Sequence, residues 1–340
     1  MDCDELLEDV DLGYTTITEG HYYYDYEENP VCEVCGHRDY DRVYGQTRYD
    51  TAIAAAERYK EATGSKFENV IVAYGQNFPD ALSGGYLAKV KNAPILLVKD
   101  TEENRIADYI SRNLSSGGTV YLLGGTGVVS SAFESKVKAK GIKTKRLGGA
   151  TRYDTNLEIL KEAGVTNQEI LVCTGTGFAD SLSASSAGRP ILLVQNTLTE
   201  EQKSYIKGLS TEQFYLIGGP AVVKPAIEKG LRDLGYGKID RLYGQDRYET
   251  STVVAKKFFA KVATVVLAIG DKFPDGLSGG PLALIKDAPI VLATSSKTAA
   301  AKAYVKSAEV VRSITLGGPT LITDIAVRTI MGQRSVGSGD

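Results

Sequence analysis

The feature that most restricts how this chain can fold is a ten-residue motif that occurs three times. It reads RVYGQTRYDT at Arg42–Thr51, RLGGATRYDT at Arg146–Thr155 and RLYGQDRYET at Arg241–Thr250. Each copy is followed, in the same order, by a Phe-x-Asp stretch, an apolar Pro-Ile run and a Gly-Gly pair. Several motifs in one order at a shared period indicate tandem duplication of about 100 residues.

Each repeat is predicted to alternate between helix and strand. In the first repeat, TAIAAAERYKEATG has the apolar spacing of a helix and ends at Gly64, a common C-terminal residue. NVIVAYG is typical of a short strand, and PILLV is an apolar run of the kind found in sheets buried on both faces. Strands separated by helices predict right-handed crossovers, and therefore three tandem α/β modules with parallel sheets.

The chain divides into an acidic segment, residues 1–41, and repeats over residues 42–145, 146–240 and 241–340. The acidic segment has a formal charge of −12, which leaves +9 on the remainder. A basic body favours an anionic partner such as nucleic acid, acidic lipid or acidic glycan, although an ordinary mixed surface is the alternative. Nucleic acid is the less favoured anion because no aromatic-rich basic stripe or known binding motif occurs.

Composition also bears on where the protein is found. No run of 18 apolar residues occurs, so no membrane span is predicted. The acidic N-terminus lacks the basic and then apolar pattern of a signal peptide. We therefore expect either a cytosolic protein or the mature form of a secreted one.

The repeats contain no recognisable catalytic set. Gly276–Gly280 matches the G-x-S-x-G pattern of a serine nucleophile, but the flanking glycines fail in the other copies. Both histidines, His21 and His37, lie outside the repeats, so no repeat has its own base. An aspartate does recur at a predicted helix start, where capping would explain it. The recurring aspartates are Asp80, Asp180 and Asp275.

The second arginine of each motif lies at or just before a predicted helix start. A cation there meets the positive end of the helix dipole, which costs about 0.3–1 kcal/mol, so it needs an anionic partner. A salt bridge with the acid two residues later and a clamp on an acidic ligand are both consistent with the pattern. The pairs are Arg48 with Asp50, Arg152 with Asp154 and Arg247 with Glu249.

The acidic segment has its own candidate site. Cys32, Cys35 and His37 are residue types that bind zinc, and Cys3 and His21 lie upstream. A single C-x-x-C is only half of a structural zinc site, so a redox pair or a disordered lead-in are the alternatives. No other cofactor is expected. Cys173 lies in an apolar run and is expected to be buried and inert.

Together the motifs R-x-x-G-x-x-R-Y-[DE]-T, F-[PA]-D-x-L-S, P-I-[LV]-L and [LI]-G-G resemble cell-wall-binding repeat type 2. That family occurs in surface and S-layer-associated proteins of clostridia and related Gram-positive bacteria. The resemblance covers the chain from about Arg42 onward and implies three flavodoxin- or Toprim-like modules around a pseudo-threefold axis. It also implies a non-catalytic, extracellular anchor that binds an anionic, teichoic-acid-like wall polysaccharide, and it allows other surface-layer proteins as partners.

The family motifs fall on definite positions of this chain. The second copy departs from the pattern at Ala179 and at Gly148, which replaces a tyrosine, and Val291 alters the third Pro-Ile run. The binding residues implied by the resemblance are Arg42, Arg48, Arg146, Arg152, Arg241 and Arg247, with Pro94, Ile95, Leu96, Leu97, Pro190, Ile191, Leu192, Leu193, Pro289 and Ile290.

Two other hypotheses remain open at this point. The first is an enzyme whose metal or redox site lies in the acidic segment, with the repeats only as scaffold. The second is an intracellular structural protein whose repeats bind only one another.

Overall fold

The computed structural model describes residues 16–18, 21–23, 40–273 and 275–332. In the acidic segment, β1 (Thr16–Thr18) and β2 (His21–Tyr23) pair as a short antiparallel sheet. The remaining described elements form three α/β modules, each with a four-stranded parallel sheet. The predicted fold class, three tandem parallel-sheet modules, is confirmed.

Twelve described strands make up the three sheets. In chain order they are β3 (Tyr40–Val43), β4 (Phe67–Tyr74), β5 (Ile95–Val98), β6 (Leu114–Leu123), β7 (Lys143–Leu147), β8 (Ile170–Thr174), β9 (Ile191–Val194), β10 (Phe214–Ile217), β11 (Ile239–Leu242), β12 (Thr264–Ile269), β13 (Ile290–Ala293) and β14 (Arg312–Leu316). The spatial orders are β5-β4-β6-β7, β9-β8-β10-β11 and β13-β12-β14-β3, which define modules 1, 2 and 3. Every residue of β8 and β12 is buried, as expected of sheets covered on both faces.

Helices connect the strands, and α1 ends at the predicted position but begins one turn earlier than the sequence pattern indicates. The helices of the described residues are α1 (Arg48–Thr63), α2 (Pro79–Val90), α3 (Glu103–Asn113), α4 (Ser131–Ala139), α5 (Arg152–Glu162), α6 (Ala179–Ser185), α7 (Glu200–Lys207), α8 (Pro225–Asp233), α9 (Arg247–Phe258), α10 (Gly279–Ile285), α11 (Ala299–Ser307) and α12 (Asp324–Met331). Gly64 ends α1 in the left-handed conformation, at φ +65°.

Each repeat gives its first strand to the sheet of the module before it. β7 carries Arg146 of the second motif but pairs with β6 in module 1, and β11 carries Arg241 but pairs with β10 in module 2. β3 carries Arg42 of the first motif and pairs with β14 in module 3, with Arg42 opposite Thr315. This exchange links all three modules and closes them into a ring.

The three modules meet at a central axis. Aromatic residues line one end of this axis, and small residues line the part next to them. Three phenylalanine rings meet at one end of it, with centroids 6.1, 5.6 and 5.8 Å apart. These are the rings of Phe78, Phe178 and Phe273. Further along the axis, Cβ atoms added to Gly85 and Gly280 would come within 3.5 and 3.2 Å of Ser185 side-chain atoms. Small residues there allow α2, α6 and α10 to approach closely around a pseudo-threefold axis.

Candidate functional site

The first arginine of each motif is directed into the protein. Arg146, on β7, donates hydrogen bonds from Nη1 to the carbonyl oxygens of Gly124 (3.0 Å) and Val129 (2.7 Å). Its Nη2 lies 2.8 Å from the carboxylate of Glu134, in α4. One side chain therefore joins the donated strand, the glycine turn after β6 and the first turn of the next helix.

The equivalent arginines of β3 and β11 make the same contacts. Arg42 donates to the carbonyl oxygens of Gly317 (2.8 Å) and Ile322 (2.9 Å) and pairs with Asp324 (2.7 Å). The corresponding carbonyl acceptors of Arg241 are Gly218 (3.0 Å) and Val223 (2.9 Å). The three side chains are only 11–19% exposed. Their donors already have partners inside the fold, which favours a structural role, and their contact with polysaccharide stays a prediction.

The acids of the motif serve as helix caps and are not partners of the second arginine. Thr47 accepts a hydrogen bond from the Asp50 N–H, while the Asp50 carboxylate accepts one from the Thr47 N–H (2.9 Å). Thr151 and Asp154 form the same capping box at α5. At α9 the cap is Asp246. The predicted salt bridges within the motif are therefore wrong: Asp50 and Asp154 accept capping hydrogen bonds, and the Glu249 carboxylate accepts from the Gln245 N–H (2.8 Å).

The tyrosine and threonine of the motif hold the loop against its own module. A Cβ on Gly75 would come within 2.5 Å of the Tyr49 ring, so only glycine fits beneath that tyrosine. The Thr51 hydroxyl accepts a hydrogen bond from the Gly45 N–H (3.1 Å). The same arrangement recurs at Tyr153 and Tyr248.

The second arginine of each motif, at the first residue of α1, α5 or α9, faces the neighbouring module. Each donates one hydrogen bond to the carbonyl of the glycine that ends the central strand, at 2.6–2.7 Å. Each guanidinium group also lies over the phenylalanine of the preceding module. The Cζ-to-centroid distances are 5.6 Å for Arg48 over Phe273, 5.8 Å for Arg152 over Phe78 and 5.5 Å for Arg247 over Phe178.

These three helix arginines retain capacity for a ligand. Arg48 and Arg152 are half-buried and Arg247 is exposed. Within residues 40–273 and 275–332, none of the three lies within 4 Å of a carboxylate oxygen. Each guanidinium therefore has donors left over after its single internal hydrogen bond.

The recurring aspartates lie beside these arginines and do not cap their helices. Phe78 and Phe178 occupy the cap positions and make no side-chain cap bond. Burial raises the pKa of Asp80 to about 6, and the neighbouring Arg152 opposes the shift. Asp180 has the same pKa, about 6, for the same reason, with Arg247 opposing. Asp80 and Asp180 thus lie in the first helical turn, as the sequence predicted, but neither residue is the N-cap.

The third aspartate follows the same pattern. Burial raises the pKa of Asp275, while Thr51 and Arg48 act to lower it. Each aspartate also lies against the glycine turn of its own module: a Cβ on Gly124, which has φ +100°, would come within 2.8 Å of Asp80 Oδ2. One carboxyl from one module and one arginine from the next thus meet at every module boundary.

The Pro-Ile runs are buried throughout and contact protein on every side. Ile95, Leu96 and Leu97 are at most 2% exposed. The strand edges are covered by polar side chains: the Asn156 amide bonds to Ile191 O and to the Leu193 N–H, and Ser251 accepts from Leu292. The remaining predicted residues of this kind, Pro94, Pro190, Ile191, Leu192, Leu193, Pro289 and Ile290, are buried as well. Their burial favours a structural role within the sheets, and their contact with polysaccharide stays a prediction.

Clefts between neighbouring modules lie at the carboxyl ends of the strands. We name them the first cleft (modules 1 and 2), the second cleft (modules 2 and 3) and the third cleft (modules 3 and 1). Each contains one helix arginine from its second-named module. The third cleft has a volume of about 860 Å³, and its lining includes Tyr44, Arg48, Lys99 and Asp275.

The first cleft is smaller, about 200 Å³, and Gly148 lies in the loop beside it. A Cβ at this position would lie 2.8 Å from the carbonyl carbon of Gly124, so only glycine allows the loop to approach that turn. In the other two clefts the position is Tyr44 or Tyr243, each 49% exposed. The three clefts therefore share an arginine but differ at the rim.

The candidate metal site falls outside the part of the chain that the structure describes. Cys32, Cys35 and His37 are not among the described residues, so the zinc and redox hypotheses stay predictions. Where side chains are described, no group of three or more His, Cys, Asp or Glu residues is placed to hold a metal ion. No described helix is both long and apolar enough to cross a membrane. Cys173 is buried, and burial raises the pKa of its thiol.

Sequence reasoning identified the helix arginines but missed the groups around them. The recurrence of the aspartate in all three repeats was a usable signal, yet its place at a helix start suggested capping. The contact of Arg152 with Phe78 could not be read from the sequence, because it joins residues 74 positions apart in different modules. The sequence also does not show which module each arginine faces, because the first strand of each repeat joins the sheet of the preceding module.

Comparison with known proteins supports this architecture. Two solved structures from Clostridium difficile share the fold: Cwp8, with a TM-score of 0.78 and 26% identity, and Cwp6, with a TM-score of 0.76 and 23% identity. This chain aligns over 88% of its length with 53% of the Cwp8 chain, and over 86% with 47% of the Cwp6 chain.

Two curated relatives come from Bacillus subtilis (strain 168). N-acetylmuramoyl-L-alanine amidase LytC is 27% identical over 264 residues, which are 74% of this chain and 49% of the relative. Amidase enhancer is 32% identical over 279 residues, 78% of this chain and 36% of the relative. The chain thus spans half or less of the length of the curated relatives that it matches.

A family model settles the classification. Cell wall binding domain 2 (CWB2) matches residues 42–134, 146–228 and 241–327, one match for each sequence repeat. Together these matches span most of the chain and include every helix arginine described above. The chain belongs to the cell wall binding domain 2 family, and its three repeats form a cell wall binding unit.

Proposed function

We propose that this chain holds a surface protein non-covalently on the Gram-positive cell wall by binding an anionic, teichoic-acid-like polysaccharide in the clefts between its modules. The family supports wall binding. The chemistry of the polymer, the residues that contact it and the extracellular or S-layer location are the parts that we propose. The role is binding rather than catalysis, and other surface-layer proteins are further candidate partners.

The observation that carries the proposal is the repeated helix arginine. Each cleft holds one guanidinium group fixed by a carbonyl hydrogen bond and an aromatic ring, with no carboxylate within ion-pair distance among the described residues. A guanidinium held in this way can bind a phosphate or carboxylate with two parallel hydrogen bonds. The predicted charge of +9 over residues 42–340 would draw an anionic polymer toward the clefts.

Three weak sites on one rigid ring suit a polymer with repeating acidic groups. When one cleft binds, the other two meet the same chain at a raised local concentration. Such linkage increases overall affinity by about 10²–10⁴ over a single site, provided that the polymer can reach more than one cleft. Modest individual clefts are therefore sufficient for stable anchoring.

The test compares two triple variants that each remove three positive charges. The first carries Arg48→Ala, Arg152→Ala and Arg247→Ala. The matched control carries Lys229→Ala, Lys238→Ala and Lys261→Ala, whose side chains are 75%, 66% and 73% exposed. We expect at least about a tenfold loss of binding to wall preparations for the arginine variant and a much smaller loss for the control, since the exposed lysines are screened.

The same measurement identifies the polymer class. Wild-type binding should fall when the acidic polymer is removed from the wall preparation, and it should weaken as salt is raised. If the arginine variant remains folded and binds wall as well as the wild type does, the proposed clefts are not the binding site.

A further inference from the structure

We propose that Tyr44 and Tyr243 make the third and second clefts stacking sites for a sugar ring, while the first cleft binds only an acidic group. This inference rests on the proposed function and specifies its ligand: a glycopolymer in which a pyranose ring lies next to an acidic substituent. It also ranks the clefts, with the third cleft the strongest.

The two tyrosines have the exposure and the support that a stacking surface needs. Each is 49% exposed, and they are among the few large hydrophobic side chains of the described residues left open to solvent. A Cβ on Gly318 would contact the Tyr44 ring at 3.5 Å, and one on Gly219 would contact the Tyr243 ring at 3.4 Å. Each ring thus borders the glycine turn of the preceding module, which restrains it at the mouth of its cleft.

Sugar rings and aromatic rings have complementary surfaces. One face of a pyranose carries C–H groups with slight positive charge, and the face of a phenol ring is negative, so the two attract by dispersion and electrostatics. Tyrosine gives this contact at a low entropic cost because it has only two side-chain torsions. The phenol hydroxyl is also free to hydrogen-bond with sugar hydroxyls.

The third cleft has the largest set of groups for such a ligand. Tyr44, Arg48 and Lys99 all line it. The positions equivalent to Lys99, after β9 and β13, are the uncharged Gln195 and Thr294. The third cleft therefore offers one ring and two positive groups, whereas the module that supplies Arg247 to the second cleft has the uncharged Thr294 at the position of Lys99.

The first cleft has no tyrosine at the position equivalent to Tyr44 and Tyr243, although Tyr74 is among its lining residues. Gly148 takes that position, where a Cβ would lie 2.8 Å from the Gly124 backbone, and the cleft measures about 200 Å³. Arg152 remains in that cleft. It can hold a phosphate or carboxylate of the polymer without contacting the sugar.

The test uses two purified polyanions, a glycosylated teichoic acid and inorganic polyphosphate, which has no sugar ring. Binding of the full 340-residue chain is compared with that of Tyr44→Ala/Tyr243→Ala and of the control Tyr44→Phe/Tyr243→Phe, which keeps both rings. We expect the alanine variant to lose about three- to tenfold in affinity for teichoic acid and to bind polyphosphate as before, with the phenylalanine variant near wild type on both. Lys99→Ala should weaken binding to both polymers.

Thermal unfolding first establishes that each variant is folded, which we expect because both tyrosines are half exposed. One outcome is that the alanine variant binds teichoic acid as the wild type does, while the triple helix-arginine variant no longer binds it. The stacking inference is then overturned and the proposed function stands. If the alanine variant loses both polymers equally, the tyrosines shape the cleft rather than contact sugar, and the inference is also overturned. If the wild type binds neither polymer, the proposed function itself fails.

Discussion

The two arginines of each motif are six positions apart and have opposite environments. The strand arginines Arg42, Arg146 and Arg241 bond to two or more carbonyls inside the fold and, at 2.7, 2.8 and 3.8 Å, face a carboxylate. The helix arginines bond to one carbonyl and face a neighbouring module across an aromatic ring. The number of internal acceptors, rather than residue type or recurrence, separates the enclosed arginine of each motif from the one that we propose binds a ligand.

The largest expected effect on stability tests the strand arginines. Arg146→Ala removes the donor to the carbonyls of Gly124 and Val129 and one of the two cations that pair with Glu134, so we expect the free energy of unfolding to fall by about 3 kcal/mol. Urea unfolding measures the change. Arg146→Lys serves as the comparison, because it keeps the charge but cannot reach all three acceptors. If the urea midpoint of Arg146→Ala is unchanged, the distinction between the strand arginines and the helix arginines is wrong.

A smaller loss is expected when the support under a helix arginine is removed. Phe178→Ala takes away a ring that contacts two other rings and lies beneath Arg247, and we expect a loss of about 2 kcal/mol in unfolding free energy. Wall binding should fall as well, because Arg247 loses the surface that orients it. If unfolding changes and binding does not, the ring stabilises the axis without positioning the arginine.

The aspartates beside the helix arginines predict a pH dependence. The pKa of Asp80 and of Asp180 is about 6 when folded, above the unfolded value of about 3.9, so the folded state binds more protons. Their contribution to stability is therefore fully present below pH of about 4 and is lost as pH rises through about 6. We expect Asp80→Asn to raise the free energy of unfolding by about 1–2 kcal/mol at pH 7.5, relative to its effect at pH 4.5. Chemical unfolding of wild type and variant at the two pH values checks this, and a pH-independent difference would contradict it.

The smallest effect on stability is expected for the helix arginines. Arg152→Ala removes one carbonyl hydrogen bond from a half-buried side chain, so the free energy of unfolding should change by less than about 1 kcal/mol. Binding to wall should nevertheless weaken. Arg152→Ala should be measured beside Arg146→Ala. We expect the strand arginine to affect mainly the stability of the fold and the helix arginine to affect mainly the affinity for wall. A loss as large as that of Arg146→Ala would make Arg152 a structural residue.

Much of the fold could be predicted from the sequence because local signals agree with it. The helix of the first repeat ends at Gly64 as expected, and the β-branched and apolar runs became central and edge strands. The three-module, parallel-sheet architecture followed from the alternation of these elements.

The binding site was harder to predict because its parts come from different modules. Arg42 and Arg48 look equivalent in the sequence, and only the donation of β3 to module 3 shows that Arg42 is enclosed there. The Pro-Ile runs recur as strongly as the arginines, yet burial accounts for their recurrence. Asp80 resembled a helix cap because sequence spacing cannot show that its carboxyl faces Arg152 across a module boundary.

The pairing of β3 with β14 bears on how the anchor responds to force. All the sheet strands run toward the clefts, so the amino end of β3, at Tyr40, points away from the surface proposed to hold the wall. A pull on Tyr40 in that direction acts along the strand. It loads the β3–β14 hydrogen bonds together, along with the contacts of Arg42 to Gly317 and Ile322, rather than breaking them one at a time. The strand that closes the ring is thus oriented so that a pull from its amino end loads its hydrogen bonds in shear.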